Sequence, residues 1–100
     1  MKTDIQEIDG KIVATLVGEM DTAAAVEVEE KLHPLYENKG KDIVFDCTGL
    51  EYIASSGLRI LLRILKDAKA KGRSVTMRHV NDDIKSVFEL TGFTSIFTFE

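Results

Sequence analysis

The chain has no tryptophan, one cysteine (Cys47), one proline (Pro34) and two histidines (His33 and His79) among its 100 residues. A single thiol cannot close an intrachain disulfide, so the sequence does not read as a secreted disulfide scaffold. Two distant histidines and one cysteine provide no ligand cluster at zinc-like spacing. Neither a metal nor a cofactor is expected. Long apolar runs are also missing. The most apolar stretch, residues 58–65, is broken by Arg59 and Arg63 and is well short of the about 20 residues that span a bilayer. Residues 1–7 alternate in polarity, unlike a signal peptide. A cytoplasmic protein without membrane insertion is the expectation. Positive charge is in deficit, with 13 Lys and Arg against 17 Asp and Glu and a formal net charge of −4. Direct nucleic-acid binding normally needs the opposite balance, so it is not expected.

What is present is ordinary globular material, 44% apolar and 30% charged, with no linker, repeat or low-complexity tract. One domain over residues 1–100 is expected. Residues 2–8 and 11–17 read as strands joined by Asp9-Gly10, a strong hairpin signal because both residues tolerate positive φ. Residues 18–21 break the second strand, and Asp21 or Thr22 can cap a helix. In that helix Ala24, Val28, Leu32, Leu35 and Tyr36 share one face. Pro34 should kink it near His33 or start a second short turn, and Lys39-Gly40 should end it.

Residues 42–47 read as a core strand and 48–54 as a loop around Gly49. A second helix over residues 55–71 stops at Gly72. Leu58, Leu61, Leu62, Leu65 and Ala68 form its apolar face, widened by Ile60 and Ile64 and opposed by Arg59, Arg63 and Lys66. Residues 74–80 read as a strand, 81–91 as a capped helix with Ile84, Val87 and Phe88 inward, and 95–99 as a last strand.

The order is β-β-α-β-α-β-α-β. It implies an α/β fold with a mostly parallel mixed sheet of about five strands and three main helices. Strand-to-helix loops of parallel sheets gather on one edge, where ligands bind. Asp21, Ser55, Ser56 and Asn81 should therefore share a rim, which Glu19, Asp21, Glu51, Asp82 and Asp83 make acidic.

Ser55 and Ser56 stand where a loop enters the second helix. Free amides and a partial positive charge at that point welcome an anion. One reading makes a serine hydroxyl the helix cap. The other makes it a phosphorylation switch, adding about −1.5 to −2 charges without unfolding the chain. A serine nucleophile would need a base and an orienting group, and the chain lacks a G-x-S-x-G elbow. An enzyme is the weaker expectation. The Arg59–Arg63–Lys66 stripe is either a solvated face or a dock for an acidic partner.

These residues carry a resemblance. Gly18-Glu19-Met20-Asp21 resembles the G-E-L-D turn of the STAS domain of anti-sigma factor antagonists. Asp46-Cys47-Thr48-Gly49-Leu50-Glu51-Tyr52-Ile53-Ala54-Ser55-Ser56-Gly57-Leu58 resembles that family's D-L-S-x-V-x-x-I-D-S-S-G-L signature, and Thr91-Gly92-Phe93 its closing pattern. The likeness runs over essentially the full length.

It implies a partner-switching protein that binds an anti-sigma factor with serine kinase activity and so regulates sigma-factor-dependent transcription. Ser55 would be the phosphoacceptor, restored by a serine phosphatase. Asp21, Ala54, Ser56, Gly57 and Asn81 would shape the binding surface, with Arg59 and Arg63 as candidate docking cations. Gly57 would permit close approach at the helix start. Ala54 departs from the pattern, which has aspartate there, and so removes an acceptor and a charge. The resemblance leaves a second role open, a constitutive STAS adaptor subunit of a membrane transporter ATPase complex.

Overall fold

Asp9 and Gly10 take φ values of +52° and +76°, the pair of left-handed conformations a two-residue hairpin turn requires. They fold β1 (Lys2–Ile8) back on β2 (Lys11–Met20), antiparallel, with Ile8 opposite Lys11. The computed structural model describes residues 1–36, 40–92 and 97–100. Lys39 at the expected end of the first helix, Phe93 of the closing pattern and Ser95 at the expected start of the last strand lie outside them.

After β2 come α1 (Thr22–Leu32), a 3₁₀ turn at His33–Leu35, β3 (Ile43–Ile53), α2 (Ser55–Ala70), β4 (Val75–Arg78), α3 (Asp82–Leu90) and β5 (Thr98–Phe99). The sheet order is β1-β2-β3-β4-β5, and every pair after the hairpin is parallel. The expected element order and mixed sheet are observed. Successive parallel neighbours joined by right-handed crossovers place all three helices on one face of the sheet. Pro34 does start a separate turn, as its missing N–H requires.

Two strands are longer than expected. β2 continues to Met20 and β3 to Ile53, so residues 18–20 and 48–53 are strand and not loop. The reason is bulging. The β2–β3 register shifts between Thr15 and Val17 and again between Gly18 and Glu19, each time with one extra residue on β3. Such insertions break the alternation that reveals a strand. At the first shift the Asp46 carboxylate accepts from the Thr48 amide and hydroxyl, at 3.1 and 2.6 Å. In the other direction β4 is shorter than residues 74–80, because His79 turns to φ +58°.

The core lies between the sheet and the helices. Ala14, Leu16, Ile43, Phe45, Val75 and Met77 of the strands meet Val28, Leu32, Leu61, Ile64, Leu65 and Phe88. Ala25, and not Ala24, is the fully buried alanine of α1, one turn before Val28. In α2, Ile60 and Ile64 are buried while Leu62 sits at the margin. Phe88 holds the C-terminal strand by edge-to-face contacts with Phe97 at 5.4 Å and Phe99 at 5.6 Å, the geometry aromatic quadrupoles favour.

Cys47 is wholly buried in this core. Burial, with a smaller push from Asp46, raises its thiol to about 12. At pH 8 roughly one thiol in 10⁴ would be ionised. We therefore expect an aromatic disulfide reagent to label Cys47 only as fast as the protein unfolds, and faster with denaturant. Rapid full labelling in plain buffer would contradict this burial.

Candidate functional site

Two of the three strand-to-helix junctions are one residue long. Asp21 alone separates Met20 from Thr22, and Ala54 alone separates Ile53 from Ser55. The Ala54 amide donates to the Met20 carbonyl at 2.8 Å, which ties the two junctions together. Parallel pairing of β2, β3 and β4 then puts the starts of α1, α2 and α3 on one edge.

The three starts are capped differently. The Asp21 carboxylate accepts from the Ala24 amide at 2.8 Å. The Asn81 side-chain oxygen accepts from the Ile84 amide at 2.8 Å, and its Nδ2 donates to the Leu50 carbonyl at 3.1 Å, fixing α3 to β3. At α2 the cap position is Ala54, extended at φ −84° and ψ 166°, with no side-chain acceptor. Neither serine caps this helix. Ser55 and Ser56 occupy its first two helical positions, and the first backbone bond runs from Leu58 N–H to the Ala54 carbonyl at 3.1 Å. The amides of Ser55, Ser56 and Gly57 come before that bond and receive no capping side chain.

Ser55 is exposed. The Ser56 hydroxyl is buried and makes no hydrogen bond among the described residues. Gly57 is buried, and a Cβ there would lie 2.5 Å from Met20 Sδ and 3.0 Å from Ile53 Cγ1. The glycine thus brings the helix start into direct contact with the ends of β2 and β3.

Beside Ser56 an open groove runs between α1 and α2. Ala25, Val26 and Ile60 give it an apolar floor, and Glu29, Arg59 and Arg63 line its edges. Arg63 Nη1 meets Glu29 Oε1 at 2.8 Å, whereas no described acidic residue pairs with Arg59. Glu19, Asp21, Glu51, Asp82 and Asp83 are all exposed, so the rim is anionic. Behind it the Asp46 carboxyl is held below the usual range. The Thr48 hydroxyl does most, burial opposes it, and the Thr48 amide, His79 and Arg78 add to it.

Asp21, Ser55, Ser56 and Asn81 are therefore brought to one edge, with Arg59 and Arg63 leading away along α2. Two residues of this surface escaped the sequence reading. Val26 is 64% exposed beside the groove and Tyr52 is 51% exposed at the end of β3. Val26 was visible as an apolar residue off the buried stripe of α1. Tyr52 was hidden by the second bulge.

A family model described as "STAS domain" matches residues 2–100. BtrV of Bordetella bronchiseptica, provisionally named an anti-sigma factor antagonist, is 32% identical over 97 residues, covering 97% of this chain and 84% of its own. The anti-sigma-B factor antagonist of Bacillus subtilis is 27% identical over 96 residues, covering 96% and 87%. The Bacillus cell fate determinant SpoIIAA shares the fold in two solved forms. Its unphosphorylated form gives a TM-score of 0.76 at 16% identity, covering 99% of this chain and 87% of that one. Its phosphorylated form gives 0.74 at 18%, covering 99% and 91%.

Two substitutions test this geometry. Ala54→Asp adds the missing cap at an extended backbone position, and should raise stability by about 1 kcal/mol in denaturant unfolding. Gly57→Ala should lower it. Overpacking against Met20 and Ile53 costs about 1–3 kcal/mol, more than the at most about 1 kcal/mol of helix propensity gained. A net loss near 1 kcal/mol is expected. An unchanged midpoint for Gly57→Ala would show that Met20 yields freely.

Proposed function

The chain belongs to the STAS-domain family, whose model spans residues 2–100, and from that membership we propose that it is an anti-sigma factor antagonist. In this reading it is a non-catalytic cytoplasmic protein. It occupies an anti-sigma factor that has serine kinase activity, and regulates transcription without touching nucleic acid. Phosphorylation of Ser55 by that partner ends the complex, and a serine phosphatase restores it.

The observation that carries this reading is the setting of Ser55: an exposed hydroxyl in the first turn of a helix without a side-chain cap. Relatives named as anti-sigma factor antagonists, and a fold neighbour solved with and without phosphate, support it. A phosphate at Ser55 adds about −1.5 to −2 charges and three acceptor oxygens. The amides of the first turn and the helix dipole accommodate that charge, so the fold persists. A partner that docks against an already acidic rim meets a bulky anion. Asp21 and Asn81 fix the junctions on either side, Ala54, Ser56 and Gly57 shape the surface, and Arg59 and Arg63 attract acidic groups of the partner.

The test is affinity capture from native lysate with the wild type beside Ser55→Asp, followed by incubation with Mg-ATP and mass spectrometry of the captured mixture. The expected result is an ATP-binding serine kinase of the anti-sigma type on the wild type only, with a phosphoryl group appearing on Ser55. Equal capture of a transporter ATPase by both chains would instead establish the adaptor role, which the missing aspartate at position 54 leaves open.

A further inference from the structure

Ser55 and Arg59 are one turn apart on α2, and both are exposed. Residues four apart share a helix face, with Cβ atoms about 5–6 Å from each other. Helical side chains also slant toward the N-terminus, so a long side chain at position 59 leans back over position 55. The next cation on this stripe, Arg63, already meets Glu29 at 2.8 Å. Arg59 meets no acidic residue among those described, although the rim in front of it carries Glu19, Asp21 and Glu51.

Resting on the reading of Ser55 as phosphoacceptor, we infer that Arg59 is the intramolecular receiver of the Ser55 phosphate. In the unmodified chain its guanidinium is available, at the edge of the α1–α2 groove, to an acidic group of the partner. On modification the γ-phosphoryl group of ATP passes to Ser55 Oγ, the hydroxyl proton leaves to a base of the kinase, and ADP departs. The new phosphate then takes Arg59. The guanidinium fork matches two phosphate oxygens at once, which a carboxylate on a separate molecule must compete with. A single modification thus adds an anion to the docking surface and withdraws Arg59, a cation that no described acidic residue holds. Glu29 and Arg63 flank the groove and are themselves paired, so they leave Arg59 as the local partner of the phosphate.

The test needs no kinase. Phosphoserine is installed at position 55 during translation, and the second ionisation of the phosphate is followed by phosphorus NMR in the wild type, Arg59→Gln and Arg59→Lys. That ionisation lies near pH 6 for an isolated phosphoserine. First-turn amides lower it equally in all three chains, so the difference isolates Arg59. The wild type should titrate about half a unit below Arg59→Gln, with Arg59→Lys between them. The gap should close at about 1 M salt, where screening acts over ~3 Å. Arg59 is exposed, and matching amide spectra confirm that the variants fold.

Equal values for the wild type and Arg59→Gln would overturn the inference while leaving Ser55 as a switch. A chain never phosphorylated in its cell would sink the switch while leaving this titration as it stands.

Discussion

Met20 is the point on which the rest of the site depends. Its side chain is wholly buried against the space that Gly57 leaves open. Its carbonyl accepts the Ala54 amide. These two contacts draw the start of α2 onto the end of β2, beside the neighbouring start of α1. With one residue at each junction there is no slack in the chain, so the exposure of Ser55 is set by the sheet and not by a loop. That rigidity is what a surface read by another protein needs.

Electrostatics follow from the same constraint. Three helix starts on one edge gather three positive dipole ends. Two of them are answered by their own caps, Asp21 and Asn81, and Asp82 and Asp83 add charge to the first turn of α3. No described side chain caps the start of α2. The rim is anionic in formal charge, yet at this one helix its backbone remains a donor surface. A free polyphosphate would be repelled by the surrounding carboxylates, whereas a covalent bond would hold a phosphate at Ser55 against the same repulsion.

Much of this was legible in the sequence, for identifiable reasons. Asp9-Gly10 can do little but turn, Pro34 can do little but interrupt, and the broad apolar stripe of α2 has only one reading at helical spacing. The order of elements, and with it the shared edge of Asp21, Ser55 and Asn81, followed. The extent of β3 did not. Its two bulges bring Thr48, Gly49 and Glu51 into a strand, and a period-two pattern cannot show inserted residues. Of the two readings of the serines, the cap is the one the structure does not show. Two hydroxyls beside an apolar run look like caps, but the cap position is Ala54, one residue before Ser55 and two before Ser56. The groove between α1 and α2 was out of reach altogether, since Val26 and Glu29 meet Arg59 and Arg63 only through the tertiary fold.

In the proposed switch, stability and switching oppose each other at Ala54. A carboxylate at the cap would satisfy the first-turn amides continuously and make the helix more stable. It would also place a charge next to Ser55 and occupy the donors that a phosphate uses. Alanine gives up that stabilisation and leaves the amides to whatever anion arrives. A capping aspartate would make unmodified and modified states more alike in charge at this point, because the helix end would already hold an anion. With alanine, no described side chain puts an anion at the start of α2. In the proposed switch, the electrostatic contrast between unmodified and phosphorylated Ser55 is then at its largest at this helix start.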